Sequence, residues 1–187
     1  INKDHDGLEF LITTTTLSSS NLAIKELNKF KNVQHRFFPI DVKFIVEKFL
    51  SEWRPSVIFF VDSEIWPNLI MVAKEKEIPL AIINARITSK TFKRWMLIPK
   101  IAKEIFNSFN LSLASSMESK KYLMELDAKN IFYYGNLKLI SYSNTKKLLN
   151  SNEEILKSKK FWLGVSTHKG EENLCINTHL KLREKFK

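Results

Sequence analysis

One cysteine, Cys175, is the only thiol in 187 residues. That excludes an internal disulfide framework and a thiolate metal cluster, and it fits a reducing compartment. No apolar run approaches the roughly 20 residues that span a bilayer, so no transmembrane helix is read in this stretch. No cleavable signal is visible either. Glycine is scarce, at 4 residues, and acid is in deficit, with 20 Asp and Glu against 30 Lys and Arg. The lysines number 25 and the arginines 5, beside abundant Asn, Ile and Phe, which is how an AT-rich genome writes any protein. Part of the net charge of +10 is therefore codon bias. What remains is a general attraction to anions: phosphates, nucleic acid or an acidic membrane surface.

Hydrophobic residues make up 44% and charged residues 27%, the balance of a globular protein, which excludes disorder over most of the length. The length fits one domain and a piece of another. A chain that opens at Ile1 without methionine and stops at Lys187 inside a lysine-rich helical pattern reads as a piece of a longer protein.

Strand-like and helical runs alternate. Leu8–Thr14 reads as a strand, and the hydroxyl cluster Thr13–Ser20 supplies a cap for a helix over Asn21–Phe30. Val33–Phe38 is a short strand closed by Pro39, and Asp41 is placed to cap a helix with Val42, Ile45, Val46, Phe49 and Leu50 on its buried face. The uninterrupted Val57–Val61 predicts a strand covered on both faces. A helix over Trp66–Lys76, a strand Leu80–Ile83, a basic helical stretch Lys90–Phe109, a strand Leu111–Ala114, a helix Met117–Leu126 and a strand Ile131–Tyr134 follow. This alternation predicts an α/β fold with a parallel, doubly wound sheet. Ser, Asn and Lys dominate 138–160, the mark of a surface crossover. Phe161–Val165 and Glu171–Phe186 then open a fresh strand and helix.

In such sheets ligands sit beyond the carboxyl ends of the strands. Asp62-Ser63-Glu64-Ile65-Trp66-Pro67-Asn68 follows the apolar strand directly. Composition favours helix capping for Asp62 or Ser63, a dipole contact for Glu64 and an early helix position for Pro67. A carboxylate held beside a bulky aromatic at a strand end also suits acid–base chemistry. Ser166-Thr167-His168-Lys169-Gly170-Glu171-Glu172 offers hydroxyls, an imidazole and a glycine ahead of a helix, either a phosphate cradle or a Ser/Thr cap with first-turn acids. His168 and Glu172 alone lack the further ligands of a metal site. Arg86 and Lys138 follow strands too and could hold phosphate or carboxylate. Arg86, Lys90, Lys93, Arg94, Lys100 and Lys103 surround Trp95, Met96, Leu97 and Ile98 with no acid among them. That suits either an anionic membrane surface or a solvated helix with one buried stripe.

Together these motifs resemble the 3-deoxy-D-manno-octulosonic acid (Kdo) transferases that act on lipid A precursor. That family pattern runs Pro-x-Asp, a Pro-led strand and Glu-Thr-Glu-Leu-Trp-Pro-Asn. Here it stands as Pro39-Ile40-Asp41, Pro55 and Asp62–Asn68. It continues with Asn84-Ala85-Arg86, Gly135-Asn136-Leu137-Lys138 and Ser166–Glu172. Asp62 stands where the family has glutamate, and Leu139-Ile140 where it has an aromatic and Asp.

The resemblance implies a GT-B glycosyltransferase with two Rossmann-like domains and an active site in the cleft between them. Residues 1–140 would be an acceptor domain incomplete at its N-terminus, 141–160 a crossover, and 161–187 the start of the donor domain. The reaction implied is an inverting, one-step transfer of Kdo from CMP-Kdo to lipid A precursor, with no cofactor, no metal and no nucleic acid. The setting implied is the cytoplasmic face of a bacterial inner membrane. Glu64 would be catalytic, with Asp62, Trp66, Asn68, Asn84 and Arg86 on the acceptor side. Asn136, Lys138, Ser166, Thr167, His168, Gly170 and Glu171 would serve the donor. A membrane anchor and a Gly-Glu motif carrying the presumed base would lie before Ile1, so this stretch alone is expected to be inactive. The alternatives are a GT-B enzyme with another donor and a non-catalytic basic module binding RNA or anionic lipid. The latter calls for exposed aromatics among the lysines, whereas most aromatics here fall in core patterns.

Overall fold

The computed structural model describes residues 7–139, 157 and 164–185. Strands and helices alternate: β1 (Phe10–Thr14), α1 (Leu17–Leu27), β2 (Val33–Phe37), α2 (Lys43–Trp53), β3 (Ile58–Val61), α3 (Pro67–Glu75) and β4 (Leu80–Ala85). They continue as α4 (Ser89–Trp95), α5 (Pro99–Asn107), β5 (Leu111–Ala114), α6 (Met117–Glu125) and β6 (Ile131–Tyr133), and α7 (Glu171–Lys185) closes the series. Every strand pairing is parallel, as helical crossovers require. The strands form two groups, β1-β2 and β3-β4-β5-β6, where the alternation predicted a single sheet.

The core lies around β4, whose Leu80, Ala81, Ile82 and Ala85 are buried. Leu69, Ile70, Val72 and Ala73 of α3 join Ala102, Ile105 and Phe106 of α5, Leu123 of α6, and Val46 and Leu50 of α2. Phe60 meets Phe109 edge-on with centroids 5.4 Å apart. Each buried Val, Leu, Ile or Phe side chain among them contributes about 1.5–3 kcal/mol.

Several elements depart from expectation for identifiable reasons. β3 is not covered on both faces: Phe60 is buried, but Phe59 and Val61 are 57% and 51% exposed. The basic helical stretch breaks in two because Pro99, lacking an N–H, starts α5 rather than continuing α4. The break turns Trp95 inward, edge-on to Phe106 at 5.6 Å, so Trp95 is not part of the exposed apolar tip. Met96, Leu97 and Ile98 form that tip, with Leu97 80% exposed. An acid does reach the segment, since Asp127 pairs with Lys103 at 3.0 Å. α1 starts early because the Thr16 hydroxyl accepts from the Ser19 N–H. β4 runs on to Ala85, so Asn84 lies within the strand. The strand expected over Phe161–Val165 lies largely outside the described residues, and so does Phe186 at the end of the last helix.

Two compact units are distinguished, Ile1–Tyr142 and Ser143–Lys187. In the second, α7 has no buried residue and leaves Leu174, Ile176 and Leu180 exposed.

Asp41 does not cap α2, whose N-cap is Val42 without a side-chain bond. It caps α3 instead. Trp66, the N-cap residue of α3, has no side-chain acceptor, and the Asp41 carboxylate takes its place. That carboxylate accepts from the Asn68 N–H at 3.0 Å and the Leu69 N–H at 2.9 Å, and the Asn68 amide donates to the Asp41 carbonyl at 2.7 Å. A charged acceptor at a helix N-terminus also meets the positive end of the dipole. Asp41→Ala is therefore expected to lower the unfolding free energy by about 1–2 kcal/mol, and Asp41→Asn by less, in urea denaturation.

Candidate active site at the carboxyl ends of the strands

A groove of about 280 Å³ opens between β1 and β3 at the carboxyl ends of the strands. Thr13, Thr14 and Ser19 line it from one side, and Val61, Glu64 and Trp66 from the other. Trp66 is stacked on Phe38, just past β2, with centroids 4.6 Å apart, which fixes one wall. On the other side Thr14 Oγ1 shares a hydrogen bond of 2.9 Å with His35 Nε2. Glu64 sits in the turn between β3 and α3, exposed, with its N–H on the Val61 carbonyl. Among the described residues its carboxylate has no hydrogen-bond or ion-pair partner. Such a group remains available to a substrate.

Asp62 is the opposite case. It adopts a left-handed backbone, φ 58°, and Asn84 does the same at φ 55°. Asp and Asn tolerate that conformation better than other side chains. The Asn84 amide donates to Asp62 Oδ1, and Lys138 Nζ lies 2.7 Å from Oδ2. The Asp62 carbonyl accepts from the Arg86 N–H at 3.1 Å, and its own N–H donates to Ile83. Asn84, only 5% exposed, uses its Oδ1 to accept from the Leu137 N–H at 3.1 Å. Asn136 holds the same segment by accepting from the Lys138 N–H at 3.0 Å. Partial burial pushes the Asp62 carboxyl upward, but hydrogen bonds from Lys138 and Asn84 and the charges of Lys138 and Arg86 outweigh it. The group is held below its ordinary value.

The two carboxylates that flank Ser63 are thus divided, Asp62 into a tie and Glu64 into the groove. Trp66 lines the groove with Glu64. Asn68 is bonded to Asp41, Asn84 to Asp62 and Leu137, and the Arg86 side chain is exposed. Thr14 and Ser19 were read only as strand end and cap. Thr14 ends β1 and Ser19 lies in the first turn of α1, and that place at the carboxyl end of a strand is the signal that marks them for the groove.

In the second unit the loop before α7 is closed on itself. The His168 N–H donates to Glu171 at 2.8 Å, and the Gly170 N–H and Thr167 hydroxyl donate to Glu172 at 3.1 and 2.9 Å. Backbone amides and the Thr167 hydroxyl hold the Glu172 carboxyl below its ordinary value. These contacts are those of a capped helix, and they also engage Glu172 away from any metal shared with His168.

Residues 1–141 match the model of a family described as 3-deoxy-D-manno-octulosonic-acid transferase (kdotransferase). Over 192 residues the chain is 31% identical to a protein of Arabidopsis thaliana named a probable mitochondrial 3-deoxy-D-manno-octulosonic acid transferase, covering 98% of this chain and 42% of that one. It is 29% identical over 191 residues to the 3-deoxy-D-manno-octulosonic acid transferase of Rickettsia felis, covering all of this chain and 40% of the relative. For the Haemophilus influenzae protein of that name the identity is 26% over 197 residues, covering all of this chain and 44% of the relative. The chain therefore spans about two fifths of the length of these curated relatives.

Because its folded value is depressed, Asp62 adds stability that is present above its unfolded value and lost as pH falls through the folded one. Asp62→Asn is expected to cost about 1 kcal/mol near neutral pH. The gap between mutant and parent should shrink as pH drops below 3.8, followed by urea unfolding across that range.

Proposed function

The chain belongs to the 3-deoxy-D-manno-octulosonic acid transferase family, and from that premise we propose that the whole protein is a glycosyltransferase moving Kdo from CMP-Kdo to a lipid A precursor. The acceptor hydroxyl oxygen forms a bond to the anomeric carbon as the bond from that carbon to the CMP phosphate oxygen breaks. The hydroxyl proton passes to a carboxylate base, and one such displacement inverts the centre. The observation that carries this reading is the unpartnered Glu64 carboxylate beside Trp66 in the groove at the strand ends. A flat aromatic wall and a free acceptor group suit a sugar ring and its hydroxyls. Glu64 would hold the acceptor sugar, while the base lies in the segment before Ile1. In the second unit, Ser166, Thr167, His168 and the amides before α7 would hold the donor phosphate, which on arrival displaces the Glu171 and Glu172 carboxylates.

The acceptor is an anionic glycolipid at the cytoplasmic face of a bacterial inner membrane. Met96, Leu97 and Ile98 form an exposed apolar knuckle between α4 and α5. Among the described residues Lys90, Lys93, Arg94 and Lys100 beside it have no ion-pair partner. Cations around an apolar tip are the elements of an interfacial contact.

Glu64→Gln in the full-length protein is expected to cut Kdo transfer at least about a hundredfold, with the unfolding transition unchanged. Transfer at the parental rate would remove Glu64 from the mechanism. For the membrane contact, this chain should sediment with anionic vesicles and be released as salt rises. Replacing Lys90, Lys93 and Arg94 together with glutamine should weaken that binding about a hundredfold at low salt, at about 1 kcal/mol per cation. Leu97→Ser should remove the salt-resistant part. Equal binding to neutral vesicles would contradict the electrostatic contribution.

A further inference from the structure

His35 is not among the residues that line the groove, yet it holds one that is. The register of β1 and β2 sets Ile12 against His35 and Thr14 against Phe37. Side chains alternate along a strand, so Ile12, Thr14, His35 and Phe37 share one face of the pair. On that face the His35 ring meets the Phe37 ring edge-on, with centroids 5.8 Å apart. Its Nε2 lies 2.9 Å from the Thr14 hydroxyl. Among the described residues Nδ1 has no hydrogen-bond partner.

Thr14 is fixed in its backbone as well. Its carbonyl accepts from the Phe38 N–H at 2.9 Å, and Phe38 carries the Trp66 wall of the groove. A threonine hydroxyl has one proton to give and two lone pairs. His35 Nε2 is the one partner of that hydroxyl among the described residues, so it decides where the proton points. With Nε2 bare, the Thr14 proton goes to the ring and only a lone pair faces the groove. With Nε2 protonated, the ring donates to Thr14 and the Thr14 proton is free for a ligand. Of the three states of an imidazole, two tautomers and the cation, two carry a proton on Nε2. No described residue binds Nδ1 in a way that imposes the third.

The opposite wall supplies the complement. The Glu64 carboxylate has no partner among the described residues, and an ionised carboxylate only accepts. A sugar hydroxyl that gives its proton to Glu64 leaves the sugar's other oxygens in need of a donor. Ser19, on the Thr14 side, already accepts from the Thr16 hydroxyl at 2.9 Å as part of the cap of α1.

We propose that His35 is a positioning residue whose Nε2–H turns the Thr14 hydroxyl proton into the groove, where Thr14 donates to an oxygen of the acceptor sugar held by Glu64. Thr14 touches the substrate, and His35 acts only through Thr14. This inference rests on the reading of the groove as the acceptor site.

Steady-state kinetics of the full-length protein with CMP-Kdo and a lipid A-type disaccharide, over a two-by-two set of variants, tests it. His35→Phe keeps a ring against Phe37 and removes the hydrogen bond, while Thr14→Val keeps the branched shape and removes the hydroxyl. Either alone is expected to raise the acceptor KM about fivefold to tenfold, the weight of one neutral hydrogen bond, with kcat and the donor KM unchanged. The double variant should be no worse than Thr14→Val alone. His35→Gln, whose amide can donate to Thr14, should stay within about twofold of the parent. Nitrogen-15 spectra of the parent should show His35 Nε2 protonated. Effects that multiply in the double variant, an equal rise in the donor KM, or a bare Nε2 would each overturn the proposal. If the parent transfers Kdo and His35→Phe changes nothing, the positioning role falls and the acceptor reading stands. A parent that neither binds nor turns over the disaccharide would overturn both.

Discussion

The Asp62 carboxylate ties together the parts of the molecule that form one rim of the site. It sits at the end of β3, accepts from Asn84 on β4, and pairs with Lys138 on the segment leaving β6. Three chain segments distant in sequence are thereby locked at one end of the sheet. The left-handed backbone at both Asp62 and Asn84 is strained for most residues, and the hydrogen bonds that hold it are made by those same side chains. The tie engages both Asp62 oxygens, so Glu64, two residues on, is the carboxylate of this turn whose oxygens stay without a partner among the described residues.

Parallel topology does the rest. Every strand delivers its carboxyl end to the same side, so short turns there bring Thr14, Ser19, Glu64 and Trp66 around one groove without long loops. Asp41 seats the start of α3 and so sets where the turn bearing Glu64 ends. The wall of the groove is rigid where Phe38 stacks on Trp66 and open where, among the described residues, no strand pairs with the free edges of β1 and β3.

Much of this was legible in the residues. β5 occupies Leu111–Ala114 as read, and β3, α3 and α6 fall within a residue or two of expectation, because apolar periodicity and Pro or Ser boundaries mark them. The motifs after the strands stand out since alternation alone places them at one end of the sheet. What escaped was non-local. A cap read from sequence is assigned to the nearest helix, whereas Asp41 caps a helix start 27 residues on. The inward turn of Trp95 depends on where α5 packs, and pattern does not show that Pro99 starts a second helix. The division between Asp62 and Glu64 depends on Lys138, more than seventy positions away. Val57–Val61 carries the composition of a covered strand, and the half-exposed Phe59 and Val61 show how much a neighbour matters to that composition.

The central claim is that Asp62 holds the fold while Glu64 meets the acceptor. Carbon-13 spectra of the side-chain carboxylates in the full-length protein, recorded as a lipid A-type disaccharide is added, test it most directly. The Glu64 resonance should move with occupancy and the Asp62 resonance should stay in place, since Lys138 and Asn84 already satisfy it. A shift at Asp62 with Glu64 unmoved would contradict the account.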